Sequence, residues 1–110
     1  MRTKQEIVEN WLPRYTDRKI SDFPDYILLT NFTKYVELFA EHFKVPILGL
    51  KSSMPNASSG RICIINFGMG SANAATIMDL LSAISPKAVL FLGKCGGVKK
   101  ANNLGDYLLP

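Results

Sequence analysis

INFGMGSANAATIMDLL, Ile65 to Leu81, runs from an apolar segment through two glycines into a stretch of helical periodicity. Upstream, Arg61 to Phe67 (RICIINF) has the β-branched, uninterrupted apolar character of a buried strand. Downstream, a helix is expected from about Ser71 to Ile84. Gly68-Met69-Gly70-Ser71 therefore sits where a strand passes into a helix. Glycine lets backbone approach a ligand closely, Ser71 can cap the helix, and the free N–H groups of a helix start carry partial positive charge that suits a phosphate. A tight turn with no ligand satisfies the same spacing, so both readings stand at this point.

A similar junction follows. Pro86 precedes a strand, AVLFLG (Ala88 to Gly93), which ends in Lys94-Cys95-Gly96-Gly97. In open α/β sheets, ligands bind outside the carboxyl ends of the strands, so two glycine loops after two strands of one sheet can line one pocket, with Lys94 bringing a cation. A bend with a solvated lysine and a buried thiol is the alternative. The first loop is not a dinucleotide fingerprint, because the third glycine position holds Asn73 and the next strand ends without an acidic residue. No G-K-[ST] sequence offers a Walker loop.

Working outward, Tyr26 to Thr30 (YILLT) reads as another buried strand. Past a turn at Thr30-Asn31, the residues Phe32, Tyr35, Val36, Phe39, Ala40 and Phe43 form the stripe of an amphipathic helix. Thr3-Lys4-Gln5-Glu6 is a capping box, opening a helix that should end near Pro13 and act as a lid or accessory element. Val45 to Leu50 is a candidate second strand, and Lys51 to Gly60 (KSSMPNASSG) has loop composition. Strands of this kind alternating with helices predict an α/β fold, its sheet covered on both faces. The expected division is 1–25 for the N-terminal helix and connection and 26–110 for the α/β portion. The apolar Tyr107-Leu108-Leu109, opened by Asp106 as a last strand, has nothing behind it to cover it, as in a larger domain cut short.

Composition narrows the function classes. A chain of 110 residues that is 47% hydrophobic has enough apolar surface for one modest core. Thirteen basic against nine acidic residues suit an anionic ligand but are too few and too scattered to argue nucleic-acid binding. No segment approaches the roughly 18–20 apolar residues of a membrane span, and MRTKQEIVEN lacks a signal core, so a cytoplasmic protein without a membrane partner is expected. Cys63 and Cys95 show no metal-ligand spacing; no metal and no cofactor are expected. Cys95 as a nucleophile would need a nearby base, and the only histidine, His42, falls toward the solvent face of its helix. No two carboxylates are placed for acid–base work.

Three ordered blocks, ENWLPRYTDRKISDFPDYILLTNFTKYVELFAEHF, INFGMGSANAATIMDLL and LFLGKCGGVKKANNLGDYLLP, resemble the catalytic domain of the AMP nucleosidase family within the purine nucleoside phosphorylase superfamily, from about Glu6 to Pro110. The resemblance implies a three-layer α/β/α sandwich, incomplete in this chain. It implies a purine nucleotide or nucleoside as small-molecule substrate, with AMP and water giving adenine and ribose 5-phosphate, and it implies a homo-oligomer. By position, Gly68, Met69 and Gly70, with Ser71, match the loop on the ribose and phosphate side. Lys94 stands where relatives place a polar residue near phosphate or ribose, and Cys95 and Gly96 match the start of the purine pocket. Thr30 and Asn31 occupy a turn that in phosphorylases carries Gly-Asp-Pro and a following arginine, and Phe91 replaces a second phosphate-binding arginine. Both departures imply hydrolysis over phosphorolysis. The catalytic groups of the family follow the position of Pro110, so the chain alone is expected to have little or no turnover. A phosphorylase of the same superfamily and a non-catalytic nucleotide-binding or interaction module are the two other readings.

Overall fold

The computed structural model describes residues 3–94, 99–101, 103–107 and 109. Its helices and strands are α1 (Lys4–Thr16), β1 (Tyr26–Thr30), α2 (Thr33–Phe43), β2 (Asn56–Ser59), β3 (Ile62–Asn66), α3 (Ser71–Ser82) and β4 (Ala88–Leu92). One sheet runs β2-β3-β1-β4, with β1 parallel to both β3 and β4 and β2 antiparallel to β3. Parallel pairing across the middle explains why β1 and β3 carry no polar alternation: both faces are covered. On one face α1 and α3 bring Val8, Leu12, Ile77, Leu80 and Leu81 onto Ile27, Leu29, Cys63 and Ile65. On the other, Val36, Phe39 and Ala40 of α2 pack on Ala57 and Ile64. The layers are thus helix, sheet, helix, as an α/β/α sandwich requires.

Four expectations give way. First, α1 continues three residues past Pro13. Proline has no N–H and crowds the carbonyl four residues back, but Leu12 and Thr16 are fully buried, and the helix closes through Asp17 N–H donating to the Pro13 carbonyl at 2.7 Å with Asp17 left-handed. Second, α1 is not accessory, since Val8 and Leu12 belong to the main core; burying each contributes about 1.5–3 kcal/mol.

Third, the strand expected over Val45 to Leu50 is a single antiparallel bridge, Leu48 to Asn56. Pro46 lacks a donor, and Gly49 turns the chain with φ +75°. The second strand instead forms at Asn56–Ser59, inside the expected loop. Its side chains are poor strand formers, but Gly60 at φ +58° makes a two-residue hairpin that pairs Ser59 with Ile62 and Ala57 with Ile64. Asn56 secures this strand. Its fully buried amide donates to the carbonyls of Thr16 at 2.6 Å and Met54 at 3.0 Å and accepts from Arg18 Nε at 2.7 Å. Fourth, Asp106, Tyr107 and Leu109 form no strand; Tyr107 and Leu109 stand almost wholly in solvent.

Candidate functional site

Because β1, β3 and β4 run parallel, their carboxyl ends share one edge of the sheet, and the turns after β1 and β3 meet there. The Phe67 N–H donates to the Thr30 carbonyl at 3.0 Å. Asn66, the last residue of β3, is buried and joins the two turns with both halves of its amide: Nδ2 donates to Thr33 Oγ1 at 3.2 Å, and Oδ1 accepts from the Gly68 N–H at 3.0 Å. Asn73, one turn into α3, donates from Nδ2 to the Met69 carbonyl at 3.0 Å. The glycine loop is therefore held at both ends by asparagines. Gly68 and Gly70 have φ of +86° and +93°, which L side chains adopt at a cost.

Above these turns lies a groove of about 510 Å³ lined by Leu29, Asn31, Phe67, Gly70, Ser71, Ala74, Met78, Val89 and Phe91. Its walls are mainly apolar, with the Phe67 and Phe91 rings 5.9 Å apart. The polar features are Asn31, Ser71 and the start of α3. Gly70, not Ser71, is the N-cap of α3, and no side chain caps the first turn. The cap expected from Ser71 is thus absent because Ser71 is already helical, which leaves the first-turn N–H groups without a side-chain partner and open to an acceptor.

The structure brings Asn31, Gly70 and Ser71 together at the groove. Thr30 lies beneath it, fully buried, its Oγ1 accepting from the Phe32 N–H at 3.2 Å. Gly68 is in the loop but not in the lining, and Met69 projects outward, 75% exposed. Lys94 points elsewhere: its ammonium sits 4.7 Å from the centre of the Phe32 ring and 5.8 Å from that of Tyr35, on the α2 side of the sheet. An ammonium over an aromatic face is attracted by the ring quadrupole. Cys95 and Gly96 lie outside the described residues.

Asn31 has one further property. Its Oδ1 is buried and has no hydrogen-bond partner, alone in this among the described side chains. A buried amide oxygen without a donor costs about 1–3 kcal/mol, and such costs collect at sites that await a partner.

The groove lining contains no titratable side chain. Asp25, held below the usual carboxylate range mainly by its hydrogen bond to Arg61, lies at the start of β1, the opposite end of the sheet. Cys63 is buried mid-strand, its thiol pushed up to about 11 by desolvation against a weaker opposing effect of Arg18. It is inert as a nucleophile. His42 is exposed on α2, away from the lining. The glycine pair pointed to the loop from the sequence; Asn66 and Asn73 were missed, although a lone polar residue closing an apolar run just before a glycine was a usable signal.

Comparison with known proteins is consistent with this geometry. The family model described as the phosphorylase superfamily matches residues 25–110. Two curated relatives, the AMP nucleosidases of Escherichia coli strain K12 and of Escherichia coli O157:H7, are each 27% identical over 135 aligned positions, covering 89% of this chain and 28% of theirs. Among solved structures, the AMP nucleosidase from Bacteroides thetaiotaomicron VPI-5482 is 72% identical with a TM-score of 0.93, covering 98% of this chain and 47% of that one. The chain thus spans less than a third of the length of these curated relatives and about half of the solved one.

Proposed function

The chain belongs to the phosphorylase superfamily, and from that premise we propose that it forms one wall of the nucleotide site of an AMP nucleosidase, which cleaves the N-glycosidic bond of AMP with water. The observation that carries this reading is the 72% identity, at a TM-score of 0.93, to a protein named AMP nucleosidase. The meeting of the β1 and β3 turns at one sheet edge adds the geometry such a site needs.

In this reading the ribose lies over the Gly68-Met69-Gly70 backbone, where the two glycines permit close approach and the Met69 side chain projects outward, and the phosphate faces the uncapped start of α3. The glycosidic bond breaks with its electron pair passing to the purine, which takes up a proton. Positive charge builds on the ribose until water adds at C1′ and loses a proton. Phe91 and the Thr30-Asn31 turn supply no arginine for a second, attacking phosphate, which favours water. The acid for the purine and the base for water are not among the groove residues; the part of the domain that the longer relatives carry in addition supplies them. The protein is then cytoplasmic and assembles as a homo-oligomer.

The test is a titration of the ¹⁵N-labelled chain with AMP, followed by amide shifts. Shifts gathered at Asn31, Gly68, Gly70 and Ser71 support the reading, and an AMP-independent spectrum or shifts confined to other elements refute it. The apolar lining also favours a second reading, a binding module without turnover, which predicts the same shifts but no adenine release in any assembly.

A further inference from the structure

Among the described residues of the three carboxyl-end turns, Thr30 to Phe32, Phe67 to Gly70 and Gly93 to Lys94, only Lys94 carries a charge. It is exposed, and it is not in the groove lining. Leu92 pairs with Thr30 across β4 and β1, so Lys94, two residues on, comes level with Phe32. Its ammonium stands 4.7 Å from the centre of the Phe32 ring and 5.8 Å from that of Tyr35, and the two rings meet edge to face at 5.5 Å. Both rings are anchored: the Phe32 N–H donates to Thr30 Oγ1, and Tyr35 packs on the α2 core. Lys94 has no carboxylate partner among the described residues. The one cation of the ligand edge is thus held by aromatic faces alone, beside the groove.

That hold is weak. At an exposed site the attraction of a ring for an ammonium amounts to about two- to fivefold in an equilibrium constant, and the four-carbon lysine stem is flexible. A charge-assisted hydrogen bond to a phosphate oxygen is worth about tenfold or more. A phosphate at this edge therefore outcompetes the rings, whereas an uncharged nucleoside offers nothing in exchange for them. Resting on the nucleotide reading above, we infer that Lys94 distinguishes a nucleoside monophosphate from the unphosphorylated nucleoside, and that Phe32 and Tyr35 are positioning residues that keep its ammonium off the groove until a phosphate monoester draws it in. Lys94 then joins the start of α3 on the same phosphate. Adenosine leaves it on the rings.

The experiment follows the ε-methylene protons of Lys94 in the ¹⁵N,¹³C-labelled chain during separate titrations with AMP, adenosine and inorganic phosphate, beside the amides of Gly70 and Ser71. In the free chain the ring currents of Phe32 and Tyr35 should place the Lys94 signal upfield of the other lysines. AMP should return it to the ordinary lysine position over the same concentrations that shift the two amides; adenosine should shift the amides only. Lys94→Gln should weaken AMP by about tenfold or more and leave adenosine within twofold. Phe32→Leu should abolish the upfield shift and tighten AMP by about two- to fivefold. An ordinary Lys94 signal in the free chain overturns the inference without any variant. Amides that respond to AMP while Lys94 stays upfield overturn it and leave the proposed site standing, as does a Lys94→Gln chain that weakens both ligands equally. Inorganic phosphate that moves Lys94 as readily as AMP overturns the nucleotide discrimination and makes free phosphate the occupant. No amide response to AMP refutes the proposed site and this inference together.

Discussion

Asn66 Nδ2 donates to Thr33 Oγ1 at 3.2 Å, so the end of β3 is bonded to the first residue of α2, 33 positions earlier in the chain. The same side chain accepts from Gly68 N–H, and one buried amide thereby sets the glycine loop relative to the turn after β1. Asn66→Leu should lower stability by about 1–3 kcal/mol, since it leaves a loop N–H and a hydroxyl unpaired. It should also weaken the AMP-induced shifts at Gly68 and Gly70. Asn66→Asp keeps the acceptor for Gly68 and should retain more of those shifts; urea unfolding and the titration together check this.

Asn56 does the equivalent at the other edge of the sheet, joining α1, the Leu48 bridge and β2. Asn56→Leu leaves the buried Thr16 and Met54 carbonyls and Arg18 Nε without their partner, and should cost more than Asn66→Leu, about 3 kcal/mol. Gly49→Ala should act through the same junction, because its Cβ would lie 2.8 Å from the Thr16 carbonyl oxygen at a φ of +75°. Urea midpoints of both variants against wild type decide the point.

The loop glycines differ in what surrounds them. At Gly70 a Cβ meets nothing within 4 Å, yet φ +93° with ψ 158° is a region open almost only to glycine. At Gly68 a Cβ would also stand 3.0 Å from Asn73 Nδ2. Each alanine substitution should cost about 1–3 kcal/mol. Gly68→Ala should in addition break the Asn73 bond to Met69, visible as loss of the downfield Asn73 side-chain amide signal, which Gly70→Ala leaves in place.

Cys63 gives the fold an alkaline limit. Its thiol has a folded value of about 11 against 9.0 for the free side chain, because burial disfavours the thiolate. The contribution is fully present below pH 9 and falls as pH rises toward 11, since the unfolded chain releases this proton first; the slope is about 1.4 kcal/mol per pH unit. Cys63→Ala should be less stable at pH 7 but lose less stability between pH 9 and 11. Equal slopes for the two proteins in urea titrations would contradict this.

How far the sequence spoke for the fold depends on where each element's energy comes from. β1, β3 and α2 were legible because their apolar runs or stripes reflect burial on the faces they occupy. β2 was not, because NASS has no strand propensity of its own and exists through pairing with β3 and through Asn56, forty residues from its partner Thr16. Pro13 misled for a similar reason: a local helix breaker is outweighed by the burial of Leu12 and Thr16. At the candidate site, Gly68 and Gly70 announce unusual backbone, whereas the unpartnered oxygen of Asn31 and the turning of Lys94 onto Phe32 are tertiary facts without a local signal.

The most direct measurement is adenine release from AMP by the co-assembled complex of this chain with the remaining half of the Bacteroides thetaiotaomicron relative, with and without inorganic phosphate and beside this chain alone. The account predicts adenine and ribose 5-phosphate from the complex, no dependence on phosphate as co-substrate, and little or no release by the chain alone. Release that requires phosphate, or none from an assembled complex, would contradict it.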